Sequence, residues 1–355
     1  SNEWITMTKP NNWKREYQAL RDYIGAHPEI VLKPNEVSIP KDLRDKFYLH
    51  FDGVRRAVVE NCFSKLPPEI ELLCDNYIRI EKEIKTLLHL DGIIMPLDLS
   101  SFLHNPQKGL IRVIYNRMFD LLQGKIGEDA FEKLAESDLR RGAADLFRLG
   151  YEWWAGLMFI KLLEPDEAFL VDLDEDYKPI LKELKDISFG RQAHHPTMRI
   201  PEFVLHSRKF SQYIAVKAAL AREIETFIVP FKPPVRPRKK TGDTSFTLDS
   251  RVMFFSFLPS ADKIPVYADI YECTLTSPDW IVEYISGEEL SDPAALEQVQ
   301  RHLEALKPKL GTCLVLVPTE QDSRPDNLPD GIRAIAAAFD QSKLQFAVDA
   351  LAKEV

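Results

Sequence analysis

The feature that most restricts the fold is a change of hydrophobic period across "VPFKPPVRPRKKTGDTS", Val229 to Ser245, which holds four prolines and five basic residues. Proline fixes φ and removes a backbone donor, so neither a helix nor a central strand runs through such a stretch, and it reads as an extended linker. Before it, apolar residues recur at three and four positions. Phe47, Phe51, Val54, Val58 and Cys62 form one stripe; Leu73, Tyr77, Ile80, Ile84 and Leu87 form another, with Pro67 and Pro68 between them. That spacing predicts two long amphipathic helices. Further helices are expected over 109–122, 128–136, 137–163, 177–186 and 207–228. No stretch of this half alternates as a strand does over any length.

Past the linker the pattern becomes strand-like. "RVMFFSFL" (Arg251 to Leu258), "IPVYADIYECTLT" (Ile264 to Thr276) and "WIVEYIS" (Trp280 to Ser286) are rich in β-branched and aromatic residues. Short turns join them, so an antiparallel meander is expected. "SDPAALEQVQRHLEALKPKLG" then offers Ser291 or Asp292 as N-cap, Pro293 in the first turn and Gly311 beyond the end, the marks of a helix. "TCLVLVP" reads as a strand covered on both faces, and the tail as a strand or short helix before a terminal helix.

A chain of 355 residues exceeds one ordinary core. The expected architecture is α+β in two domains: an all-helical domain over 1–228, a basic Pro-rich linker over 229–245, and a three-layer α/β domain with a mixed sheet over 246–355.

The net charge of −9 resides in the C-terminal part: from Thr244 onward nine Lys/Arg face eighteen Asp/Glu, whereas the signs balance before it. Surfaces that grip nucleic acid are usually basic. Only Lys232, Arg236, Arg238, Lys239 and Lys240 of the linker, with Arg208 and Lys209, offer a candidate nucleic-acid or partner contact. The apolar run "WWAGLMFIKLL" is interrupted by Lys161 and is too short to span a bilayer, so no membrane span is expected. Its Trp153, Trp154 and Phe159 are expected at the centre of the helical domain. The start, "SNEWITMTKPNN", lacks the basic and apolar parts of a secretion signal. Cys62, Cys74, Cys273 and Cys313 are scattered and form no CxxC pair. Buried free thiols in a cytoplasmic protein are the expectation. Oligomeric state is not specified.

Two further clusters contain residue types that can bind metals. His194, His195 and His206 fall in "HHPTMRIPEFVLH" without helix spacing and read as a surface loop. Asp172, Asp174, Asp176 and Glu183 match acidic positions of a calcium loop, but Tyr177 replaces the required glycine, and an acidic helix start is preferred. No GxxxxGK[ST], GxGxxG or GxSxG motif occurs.

The remaining constellation is a carboxylate on each of two successive predicted strands, Asp269 in "VYADIYE" and Glu283 in "WIVEYIS". On neighbouring strands two such groups can hold Mg²⁺, a cation that favours oxygen ligands. With the helix and buried strand that follow, "ADIYECTLTSPDWIVEYISGEEL" resembles the restriction-endonuclease-like, PD-(D/E)xK nuclease family. Its members carry an acid on one core strand and Asp/Glu-x-Lys on the next. The resemblance implies that Asp269 and Glu283 stand as the metal-binding acids and Gln298 as a helix residue of the site. The family's lysine, which positions or activates the attacking water, is replaced by Ile285. The resemblance therefore implies a degenerate nuclease-fold protein that needs no cofactor and acts by binding, in a protein assembly or nucleic-acid processing. An alternative is an active Mg²⁺-dependent nuclease with a lysine recruited from Lys263, Lys307 or Lys309. A third reading is a small-molecule enzyme or sensor with an interdomain pocket near His194 and His195.

Overall fold

The structure is a computed structural model that describes residues 13–190, 197–228, 251–319 and 327–355. The described chain forms two compact units, one of residues 13–75 and 96–147, the other of 76–95 and everything from 148 onward.

The first unit is mainly helical. Helix α1 (Trp13–Gly25) precedes a hairpin of β1 (Val31–Lys33) and β2 (Glu36–Ser38), followed by α2 (Arg44–Cys62). Helix α3 (Pro68–Leu87) starts on the second proline of its pair, and only its first turns, with Asp75 the last residue, belong here. Strand β3 (Gly92–Ile93) belongs to the second unit. Helices α4 (Leu97–His104), α5 (Pro106–Val113) and α6 (Tyr115–Leu122), with α7 (Glu128–Leu162) as far as Phe147, complete the first. Asn105 caps α5 by accepting from the Lys108 N–H at 3.1 Å, with Pro106 at its first position. The expected single helix over 109–122 is broken at Ile114. Those expected over 128–136 and 137–163 are the one helix α7. The stripe of α2 is buried as an aromatic core: Phe51 packs against Phe119 at 5.0 Å, and the buried Arg55 guanidinium lies over Phe51 at 4.8 Å.

In the second unit the rest of α7 leads to β4 (Pro165–Leu173), β5 (Pro179–Glu183), β6 (Asp186–Ile187), β7 (Met198–Arg199), β8 (Phe203–Ser207), β9 (Gln212–Leu220) and α8 (Ala221–Ile228). Beyond 229–250 follow β10 (Arg251–Leu258), β11 (Ala268–Asp269), β12 (Thr274–Leu275), β13 (Trp280–Ser286) and α9 (Gly287–Leu290). The chain ends with α10 (Pro293–Leu306), β14 (Thr312–Val317), β15 (Ile332–Ile335) and α11 (Gln341–Leu351). Eight strands form one sheet in the order β15-β14-β13-β10-β9-β8-β4-β5. It is antiparallel from β5 to β13 and parallel from β13 to β15. Strands β12, β11 and β7 form a separate small sheet, and β3 pairs with β6.

Helices cover both faces. On one, Ile224 of α8 and Leu306 of α10 pack with Val252, Phe254 and Ile281, and Val299 of α10 packs with Ile285 and Leu314. On the other lies α7, with Phe159 edge-on to Trp280 at 5.4 Å. Gly156 permits this approach, since a Cβ there would come within 2.9 Å of Phe189 and 3.0 Å of Met253.

Three expectations are corrected. Residues 1–228 are not an all-helical domain: six strands of the second unit, β4, β5, β6, β7, β8 and β9, lie between 165 and 220. The predicted helix over 177–186 is the β5 region, and that over 207–228 is β9 followed by α8. The linker does not separate helices from sheet either, because β9 before it and β10 after it pair over eight residues. The reason is burial on both faces. Ile214, Ala215, Val216, Ala218 and Ala219 are all inaccessible, so β9 shows no alternation, and its alanines mimic helix-forming sequence. The expected meander is also absent, since β10 pairs directly with β13 while β11 and β12 lie in the small sheet. Trp153 and Trp154 are buried as expected, but in the second unit, against Phe189 and Phe339 at 4.7 and 5.1 Å.

Candidate functional site

Strand β13 carries Glu283 into the interior, in register with Val252 on β10 and Leu314 on β14, and only 6% of the residue is exposed. A carboxylate so placed needs a partner. Helix α10 supplies it. Asp292 caps this helix through the Ala294 N–H at 3.0 Å, and Val299, His302 and Leu306 face inward. His302 is fully buried, and its Nδ1 donates to Glu283 Oε1 at 2.8 Å. Its Nε2 lies 3.2 Å from Glu225 Oε1 on α8, a charge contact without hydrogen-bond alignment. Glu225 also meets Arg301 at 3.3 Å. Burial alone would lower the His302 pKa; the Glu283 hydrogen bond and the charges of Glu283 and Glu225 together outweigh it and raise the pKa.

A second buried pair lies on the same sheet face, two strands further along. Lys217 of β9 sits opposite Phe254, which in turn sits opposite Ile281, so the side chains share the face of Glu283. Lys217 Nζ donates to Glu202 Oε1 at 3.1 Å. The same oxygen accepts from the Gly190 N–H at 3.1 Å, and Oε2 accepts from the Ala218 N–H at 2.8 Å. Burial pushes Glu202 above the usual carboxylate range, against the pull of Lys217 and the Ala218 N–H. Beside Phe254, Ser256 hydrogen-bonds the buried Tyr267 hydroxyl at 2.8 Å. On the opposite face, Glu152 of α7 accepts from the Arg251 N–H at 3.1 Å, and burial raises it to about 7 although Arg148 opposes the shift.

The expected residues are not brought together as a metal site. Asp269 lies in the small sheet, where its Oδ1 accepts from the Tyr271 and Glu272 N–H groups at 3.0 and 3.3 Å. The strands beside Glu283 are β10 and β14, and Val252 and Leu314 stand opposite it. The pair therefore does not fit the Mg²⁺ site expected of adjacent strands. Among the described residues no group of three or more His, Cys, Asp or Glu is placed to hold a metal ion. Gln298 is half-buried on α10, one turn before His302. Lys263, Lys307 and Lys309 are exposed, whereas Glu283 is buried.

His206 pairs with Asp166 at 2.7 Å on β8. His194 and His195, and Lys232, Arg236, Arg238, Lys239 and Lys240, lie outside the described residues. The calcium-like acids form a hairpin turn and not a helix start: Asp174 accepts from the Asp176 and Lys178 N–H groups, and Asp172 pairs with Lys182. Cys74 and Cys313 are buried free thiols, but Cys273 is exposed and Cys62 half-buried, which corrects the expectation for those two.

Sequence reasoning missed His302, Glu202 and Lys217. His302 had a signal, since it interrupts an apolar helix stripe between Val299 and Leu306. Glu202 and Lys217 are charges embedded in the apolar runs "IPEFVL" and "YIAVKAAL". In chemical terms, carboxylates flank both nitrogens of His302, and Lys217 is engaged by Glu202. Neither group is directed at an open site, as a general acid or base would be. In comparisons with known proteins the chain matches no family model, no curated protein and no solved structure.

Proposed function

We propose that this chain is a non-catalytic module with a restriction-endonuclease-like sheet, and that it acts by binding a protein partner. The observation that carries the reading is the engagement of Glu283 by His302, with Val252 on the adjoining strand where a second acid would be needed. The family's order of an acid followed by x-x-Lys recurs as Glu202 and Ala215-Val216-Lys217, and there an alanine stands in the place of the second acid. Neither location assembles the paired carboxylates of metal-assisted phosphoryl transfer. The excess acidity after Thr244 favours a protein over a polyanion.

The test is a cleavage assay over single- and double-stranded DNA and RNA with Mg²⁺ or Mn²⁺, joined to a mobility-shift assay with the same nucleic acids. The expected result is no cleavage and no retained complex at physiological salt. Metal-dependent cleavage that disappears in Glu283→Gln, with the variant still folded, would overturn the proposal. A salt-sensitive nucleic-acid complex would replace the protein partner with a polyanion.

A further inference from the structure

The main sheet ends at β15, whose one strand neighbour among the described residues is β14. A terminal strand presents backbone donors and acceptors that another strand can complete. Alongside it runs a groove of about 980 Å³, lined by β15, the turn at Pro308 to Gly311, and the face of α11 that bears Phe346, Ala347 and Ala350. Leu344, Val348 and Leu351 of α11 are buried, but Phe346 points away from them and is 75% exposed. A phenylalanine this open beside a strand edge with no partner among the described residues marks an interaction surface more specifically than scattered surface leucines do.

Charge selects the occupant. Three of the nine basic residues after Thr244, Lys309, Arg333 and Lys343, line this one groove, against two acids, Asp330 and Glu354. Arg333 pairs with Glu354 at 3.3 Å, and the Lys343 ammonium reaches the Ala336 carbonyl at 3.3 Å, a neutral acceptor. The groove is thus a basic spot on an acidic segment. A second copy of the chain would bring like charges together along the paired edges.

We propose that an extended, acidic segment of a protein partner adds as a strand to β15, setting an apolar side chain on Phe346 and carboxylates toward Lys309 and Lys343. This deepens the binding reading and rests on it. Main-chain hydrogen bonds would supply affinity, and the alternate side chains would supply selectivity.

The test uses the full chain and two fluorescein-labelled eight-residue peptides, one alternating valine with glutamate and one alternating valine with lysine, read by fluorescence anisotropy. The acidic peptide is expected to bind saturably and the basic one not. Phe346→Ala should weaken binding about fivefold or more, and Lys309→Glu with Lys343→Glu should reverse the preference. These residues are exposed, and a thermal melt of each variant checks that folding is kept. Absence of saturable binding, equal binding of both peptides, or indifference to these variants would overturn the proposal. So would a dimer in sedimentation that Phe346→Ala disperses, which would give the groove to a second copy. Binding gained only after residues 320–326 are replaced by a Gly-Ser stretch would give it to the chain's own acidic segment. The cleavage assay stands apart: metal-dependent cleavage would remove the non-catalytic reading, whereas peptide failure alone removes only the groove.

Discussion

Nζ of Lys217 lies 3.1 Å from Oε1 of Glu202 across the β8–β9 hairpin, with about 5% of one side chain and 3% of the other exposed. Removing a single partner strands a charge in a region that water does not reach, whereas replacing both leaves an uncharged interior. Lys217→Met and Glu202→Gln are each expected to cost about 3–5 kcal/mol, with Glu202→Gln at the lower end because its amide oxygen still accepts from one of the Ala218 and Gly190 N–H groups. The double variant should cost clearly less than the sum. Urea denaturation of the four proteins measures this coupling, and additive costs would show that the ammonium and carboxylate do not depend on one another.

The His302 contact gives a pH dependence of defined sign. Its folded pKa is raised, so the histidine contributes most to stability below its unfolded value of about 6.5 and loses that contribution as pH rises through the higher folded pKa. The groups facing it are Glu283 on β13 and Glu225 on α8, with Arg301 beyond Glu225. His302→Gln keeps a donor for Glu283 but cannot titrate. The difference in unfolding free energy between wild type and this variant should therefore be largest near pH 6 and shrink toward pH 9, by denaturation at matched ionic strength. A difference that grows with pH would mean that the imidazole is held neutral.

The legible parts of this chain were those whose signals are local. Helix α10 was visible because Asp292, Pro293 and Gly311 bracket an apolar stripe, and α2 and α3 because Pro67 and Pro68 separate two stripes. Strand β13 was visible through its β-branched and aromatic content, and Glu283 through being the one charge within it. Strands β8 and β9 were not, because double-sided burial removes alternation and "AVKAAL" carries helix-forming alanines. With that hairpin hidden, the fourteen residues between Glu202 and Lys217 in the chain conceal their pairing. Asp269 failed for a different reason: a two-residue strand is too short for its pattern to reveal which sheet it joins.

The four thiols divide by environment, and their chemistry should divide with them. Cys273 is exposed on the hairpin between β11 and β12. Burial raises Cys62, with Arg140 opposing the shift. Burial pushes Cys74 up to about 12, aided by Asp75 and Glu71, and pushes Cys313 up to about 12 as well, so almost no thiolate of either exists at neutral pH. The thiolate is the attacking species, and a disulfide reagent must also reach it. Native protein treated with such a reagent at pH 8 should therefore show one fast thiol, a slower second, and two that react only with denaturant. Cys273→Ser should remove the fast phase. Rapid native labelling of Cys313 would reveal opening of the sheet at β14, since that strand is buried along its whole length between β13 and β15.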